Sequence, residues 1–183
     1  MKRIVTALVL VTALFFLSIV ILNHVNDDGS GSFNVHDISA DESEIQIATD
    51  LSIGKGTSVL KTLTQEQQIY TLFEVHPYEG EFGIATFSPI AKKDRYKFNS
   101  ASHSKNLIQV ETFVGNKEVI VGVRKGSQIH KLVIKNAQES VEKIVAEGQD
   151  FLGIVSFNSS LAADEITVVG YDKLGQEQAR TTN

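Results

Sequence analysis

The chain has 183 residues, no cysteine, 42% hydrophobic residues and a formal charge of −5. Without cysteine there are no disulfide staples, thiolate chemistry, iron–sulfur clusters, cysteine zinc sites or cysteine-linked lipid. Setting aside Lys2 and Arg3 takes the charge from −5 to −7 over the remainder, and such a surface argues against nucleic acid or anionic lipid as a main partner.

Ile4 to Leu22 carries no charge, and only Thr6, Thr12 and Ser18 are polar. As a helix this run spans roughly 28 Å at 1.5 Å per residue, close to the about 30 Å of a bilayer core. A single-pass transmembrane helix is therefore expected over residues 4–22, with residues 1–3 as a cytoplasmic tail and the lipid bilayer as its partner. The run ends Ser18-Ile19-Val20-Ile21-Leu22-Asn23, without the small-residue pair of a cleavage site, so it reads as an uncleaved signal anchor. Lys2 and Arg3 lie before it and Asp27 and Asp28 after it, which keeps the N-terminus cytoplasmic and the rest extracytoplasmic.

Asn23 to Val35 is rich in Gly, Ser and Asn without apolar periodicity, and a flexible tether is expected over residues 23–36. The remaining length suits one ordinary domain or two small ones. Ser39 followed by Glu42 resembles a capping box, and Ile38, Ile45, Ala48 and Leu51 recur at helical spacing, which predicts a helix near 40–51. After Gly56 the period changes to two, with strands expected over 59–63, 69–75, 81–89 and 95–100. A helix followed by an antiparallel meander makes a small α+β unit, placed at residues 37–104. The polar stretch Ser100–Asn106 reads as a boundary.

Beyond it, strands are expected over 107–114, 117–124, 127–135, 141–146, 151–157 and 165–171, with Gly115-Asn116 as a two-residue hairpin turn. Asp172-Lys173-Leu174-Gly175 turns into a short final strand, and the spacing suggests a β-sandwich over residues 105–178, with 179–183 as a tail. The runs Ile120-Val121-Gly122-Val123, Lys131-Leu132-Val133-Ile134, Gly153–Phe157 and Ile166–Asp172 together resemble an immunoglobulin-like module. Such modules occur in poorly characterised membrane-anchored surface proteins of Bacillus-like bacteria. The N-terminal half is similar to the cystatin-like or NTF2-like units of such proteins. The resemblance implies a fold and a surface address, and it transfers no catalytic residue.

Candidate chemistry is sparse. Gly54-Lys55-Gly56-Thr57 has some of the residues of a phosphate loop without its spacing. Among His24, His36, His76, His103 and His130, only Glu74-x-His76 has ligand-like spacing, and two ligands fall short of a zinc site. His103 lies among serines but lacks the base-and-orienter context of a nucleophile site. Asp41, Glu42 and Glu44 lack the pattern of a calcium loop and suit the first turn of a helix. Asn158-Ser159-Ser160 matches a glycosylation acceptor and also suits a turn. No catalytic, cofactor-binding or metal residue is assigned, and no cofactor is expected.

The expected function is that of a membrane-anchored, extracytoplasmic, non-enzymatic interaction or accessory protein, its partner another extracytoplasmic protein. A small-ligand or signal-sensing domain is the alternative, favoured by a concave pocket with convergent polar groups. A cell-wall enzyme is the weaker alternative, favoured by a pocket joining His76 or His103 to carboxylates.

Overall fold

Asp41 starts the only helix among the described residues, α1 (Glu42–Ile53), because its carboxylate accepts the Ser43 amide at 2.9 Å. Glu44 reaches back to the Ser39 amide at 2.7 Å. The cap is thus two residues later than the Ser39 start that the sequence suggested. Gly54 ends the helix with φ 135°. Ile45, Ala48 and Thr49 are buried, whereas Ile47 and Leu51 are exposed.

The computed structural model describes residues 33–182 apart from 55, 77, 79, 114–116 and 160–165. The expected transmembrane helix (4–22), most of the tether and the Gly115-Asn116 turn lie outside the described residues. Among those described, no helix is long and apolar enough to cross a membrane.

Among the described residues eleven strands follow α1: β1 (Thr57–Gln65), β2 (Gln68–Val75), β3 (Phe82–Pro89), β4 (Tyr96–Ser104), β5 (Ile108–Thr112), β6 (Glu118–Val123), β7 (Lys131–Lys135), β8 (Ser140–Ile144), β9 (Phe151–Ser156), β10 (Thr167–Tyr171) and β11 (Glu177–Thr182). They form three antiparallel sheets with strand orders β1-β2-β3-β4, β5-β6-β9 and β11-β10-β7-β8.

β6 explains how the sheets stack. Val119, Val121 and Val123 join Ile108, Leu132, Ile134, Val155 and Val168 in one core, between the middle sheet and the β11-β10-β7-β8 sheet. The intervening Ile120 joins Tyr70, Leu72, Phe82, Ile84 and Leu152 in a second core, between the middle sheet and the β1–β4 sheet. A strand buried on both faces must be apolar throughout rather than alternating. Gly122 lets the layers meet, since a Cβ there would stand 2.5 Å from Leu72 Cδ1 and 3.4 Å from Ile84 Cδ1. The opposite face of the β1–β4 sheet carries Ile69, Phe73, Ala85 and Phe87, all buried, and α1 lies across it between β1 and β4.

Both edges of the β1–β4 sheet are occupied. The Gln46 side chain accepts from Val59 N at 2.7 Å and donates to Thr57 O at 3.0 Å, closing the free edge of β1. On the other side Ile38 exchanges both backbone bonds with Tyr96, at 2.9 and 2.8 Å, and Phe98 N donates to Val35 O at 2.9 Å. Asp37 is gripped there by Arg95 and Lys92.

The expected fold class therefore needs correction. It joined a transmembrane helix, a small α+β unit and an immunoglobulin-like sandwich. The described chain is mostly β, with three antiparallel sheets, a sandwich-like stack and one short helix. Contacts divide the chain into Met1–Asn34 and Val35–Asn183, so everything from α1 to β11 is one unit. The polar stretch read as a boundary is in part β4, because Ser100, Ser102 and Ser104 pair with Thr86, Ile84 and Phe82.

Substituting Gly122→Val should cost about 1–3 kcal/mol by overpacking. Urea unfolding should stay a single transition at a lower midpoint, and amide exchange should rise in β2 and β3 as well as in β7 and β10. Faster exchange confined to β7 and β10 would contradict the shared-core account.

Candidate functional site

Most polar groups that the sequence brings to notice serve the fold itself. The 54–57 loop does wrap an oxyanion, but the anion is Asp50. Its Oδ1 accepts from Gly56 N and Thr57 N, each at 2.8 Å, and from Thr57 Oγ1 at 3.1 Å. Those donors are already engaged. Asp41 is the helix cap, and the Ser43 hydroxyl and amide hold its carboxyl below the usual aspartate range. Asn158 donates its side-chain amide to Glu139 at 2.7 Å. Glu139 also accepts the Asn158 and Ser159 backbone amides, which lower its pKa.

The histidines are dispersed. His24 lies outside the described residues, and His36 is exposed in the segment before α1. His76 Nε2 stands 2.6 Å from Ser58 Oγ, and Glu74 Oε1 is 3.8 Å from that same nitrogen. A nucleophile–base pair needs its third group on the other ring nitrogen, and Glu74 instead directs Oε2 to Arg124 Nη2 at 2.7 Å. His103 is on β4 rather than in a loop. It meets Glu81 at 3.0 Å and lies edge-on to Phe73, with centroids 6.2 Å apart. Among the described residues no group of three or more His, Cys, Asp or Glu is placed to hold a metal ion.

A carboxyl between the layers was not apparent from the sequence. Glu111 lies opposite Ile120, on the face of β5 turned to the β1–β4 sheet, and accepts the Ser102 hydroxyl. Burial outweighs that bond and pushes the carboxyl above the usual glutamate range.

Three loops converge at one end of the sandwich: 124–130 after β6, 145–150 after β8 and 172–176 after β10. They enclose a cleft of about 430 Å³. Contacts between the loops hold them in place. Lys125 N donates to Asp150 Oδ1 at 2.8 Å, and Lys173 pairs with Glu147, lowering the pKa of that carboxyl. Asp172 accepts the Leu174 and Gln176 amides, each at 2.8 Å, in an Asx turn. Gly126 takes φ 83°, which turns loop 124–127 back on itself. The His130 backbone is held by Tyr171 O and Val145 N, each at 2.8 Å, while its ring Nδ1 is buried with no hydrogen-bond partner among the described residues.

The same loop has a second hollow on its other side, about 330 Å³, lined by Gly80, Phe82, Lys105, Leu107 and residues 124–127. Arg124 connects both hollows to the β1–β4 sheet through Glu74. Rigid loops around recesses with apolar walls and a few fixed charges are the usual makings of a binding surface. Neither recess incorporates a residue pair that the sequence put forward, because the three loops are separated along the chain. Among known proteins, no family model, no curated protein and no solved structure matches this chain.

Glu111 yields a pH-dependent expectation. Its raised pKa means that the folded chain holds that proton more tightly than the unfolded chain does. Stability from this group is complete in acid and is lost as pH rises through the raised value. Glu111→Gln should therefore raise the melting temperature near neutral pH and leave it unchanged in acid below the usual glutamate range. A lower melting temperature at neutral pH would show that the ionised carboxylate has a structural role.

Proposed function

We propose that this chain is a non-enzymatic binding module, held outside the cytoplasm through the apolar run Ile4–Leu22, that engages another extracytoplasmic protein. The address rests on the uncharged run and on Lys2 and Arg3 before it. The mode of action rests on one observation: two hollows share residues 124–127, and that shared loop is pinned through Asp150 and Glu74. Together they offer a surface longer than a small molecule needs, with exposed Leu107 lining one hollow and exposed Leu174 the other. Preorganised loops reduce the ordering cost of association.

Small-ligand binding is a second reading, favoured by the concave shape of the 430 Å³ cleft, whose lining brings His130, Glu147 and Lys173 together.

The test is capture from native membranes. The full chain, tagged and extracted in mild detergent, should retain a protein partner, and Ser127→Trp, which obstructs both hollows, should abolish retention without lowering the melting temperature. A partner held equally by Ser127→Trp would place the contact elsewhere. Loss of all partners together with a low-molecular-mass compound bound to the wild type would favour the ligand reading.

A further inference from the structure

The two hollows differ in the balance of charge. The larger cleft, which Arg124 and Lys125 also line, holds two carboxylates as well: Glu147 neutralises Lys173, and Asp172 is occupied by its own turn. Among the described residues the smaller hollow is lined by three cations, Lys105, Arg124 and Lys125, and by no carboxylate. Arg124 is held by Glu74, whereas Lys105 and Lys125 enter no ion pair among the described residues. Beneath these charges the lining is apolar. Phe82 is 1% exposed and belongs to the core between the first two sheets, and Leu107 is 44% exposed. On a chain of formal charge −5 this is a local reversal of sign over an apolar floor.

We propose that this hollow receives an acidic segment of the partner protein that carries an apolar side chain. The apolar side chain packs on the half-exposed Leu107, above the buried Phe82, and carboxylates on either side of it meet Lys105, Lys125 and the outer edge of Arg124. The proposal rests on the reading of this end as a protein-binding surface, and it specifies the chemistry of what binds. Exposed lysine–carboxylate pairs contribute little by themselves and are screened by salt. A bare anion therefore has too little to hold it, and apolar burial must supply most of the affinity. The charges select the segment and speed its approach. An anionic lipid surface fits less well, because a planar membrane meets the acidic remainder of the domain along with the recess, whereas an extended segment enters the recess alone.

The probe is a random octapeptide pool passed over the immobilised full chain, with the bound fraction sequenced. At least tenfold enrichment of peptides that combine Asp or Glu with Leu, Ile or Phe is expected. That enrichment should fall at least tenfold in the double variant Lys105→Glu, Lys125→Glu, and also in Lys105→Gln, Lys125→Gln, with unchanged melting temperatures. Absence of enrichment, enrichment indifferent to acidic residues, or enrichment that survives both variants would overturn the proposal. So would co-sedimentation with phosphatidylglycerol vesicles that the double variant abolishes while the peptide pool shows nothing. Native capture separates the two levels of inference. A partner retained by the double variant but lost by Ser127→Trp overturns this proposal and leaves the protein-binding surface standing. A partner retained by both overturns the surface itself.

Discussion

Burial of β6 on both faces is the constraint on which the rest of this architecture depends. Each of Val119, Ile120, Val121 and Val123 is fully removed from water, and a fully buried aliphatic side chain stabilises by about 1.5–3 kcal/mol. Because successive residues point to opposite sides, that stabilisation is divided between two cores. Neither neighbouring sheet can leave without exposing half of β6. The middle sheet has only three strands, too few to cover itself, so it serves as the shared wall of both cores rather than as part of a separate domain.

Much of this was legible in the chain, and the gaps have identifiable causes. Period-two patterning located the strands, since Ile69, Thr71 and Phe73 do share a face opposite Tyr70 and Leu72. The stacking was missed although its signal was present. The run Val119-Ile120-Val121-Gly122-Val123 is apolar without alternation, as is expected of a strand with no solvent face. The turn between β1 and β2 was obscured because Glu66 and Gln67, neither Gly nor Asn, adopt positive φ of 48° and 65°. The serines of β4 read as a loop, yet hydroxyls suit a strand whose partners supply hydrogen bonds, as Thr86 does for Ser100 at 2.9 Å. The recesses were not legible at all, because their walls come from loops some twenty residues or more apart, and no local pattern encodes such a meeting.

Where the polar groups go also separates structural from recognition roles. Asp50, Asp41, Glu139 and Gln46 each satisfy backbone donors or acceptors of a neighbouring segment, so their chemistry is directed inward. Glu74 stands between the two cases: it fixes Arg124 and lies beside the Ser58–His76 pair. Through it the sheet under α1 is joined to the loop that separates the two hollows. The exposed lysines at 105 and 125 enter no ion pair among the described residues, and such a charge is available to an external partner.

The pairing of residues 35–38 with β4 gives the domain a mechanical entry point. Tension along the chain from its N-terminal side reaches the Phe98–Val35 bond first, then the grip of Arg95 and Lys92 on Asp37, and then the two Ile38–Tyr96 bonds. All of these lie outside the two sheet-to-sheet cores. They form a clip that includes Ile38, a fully buried side chain, so its release costs apolar burial as well as the backbone bonds. Opening releases four residues, roughly 13 Å of extended chain at the 3.3 Å per residue of a stretched backbone. It also uncovers the Tyr96–Phe98 edge of β4, so releasing residues 35–38 would present a fresh strand edge for another chain to pair with.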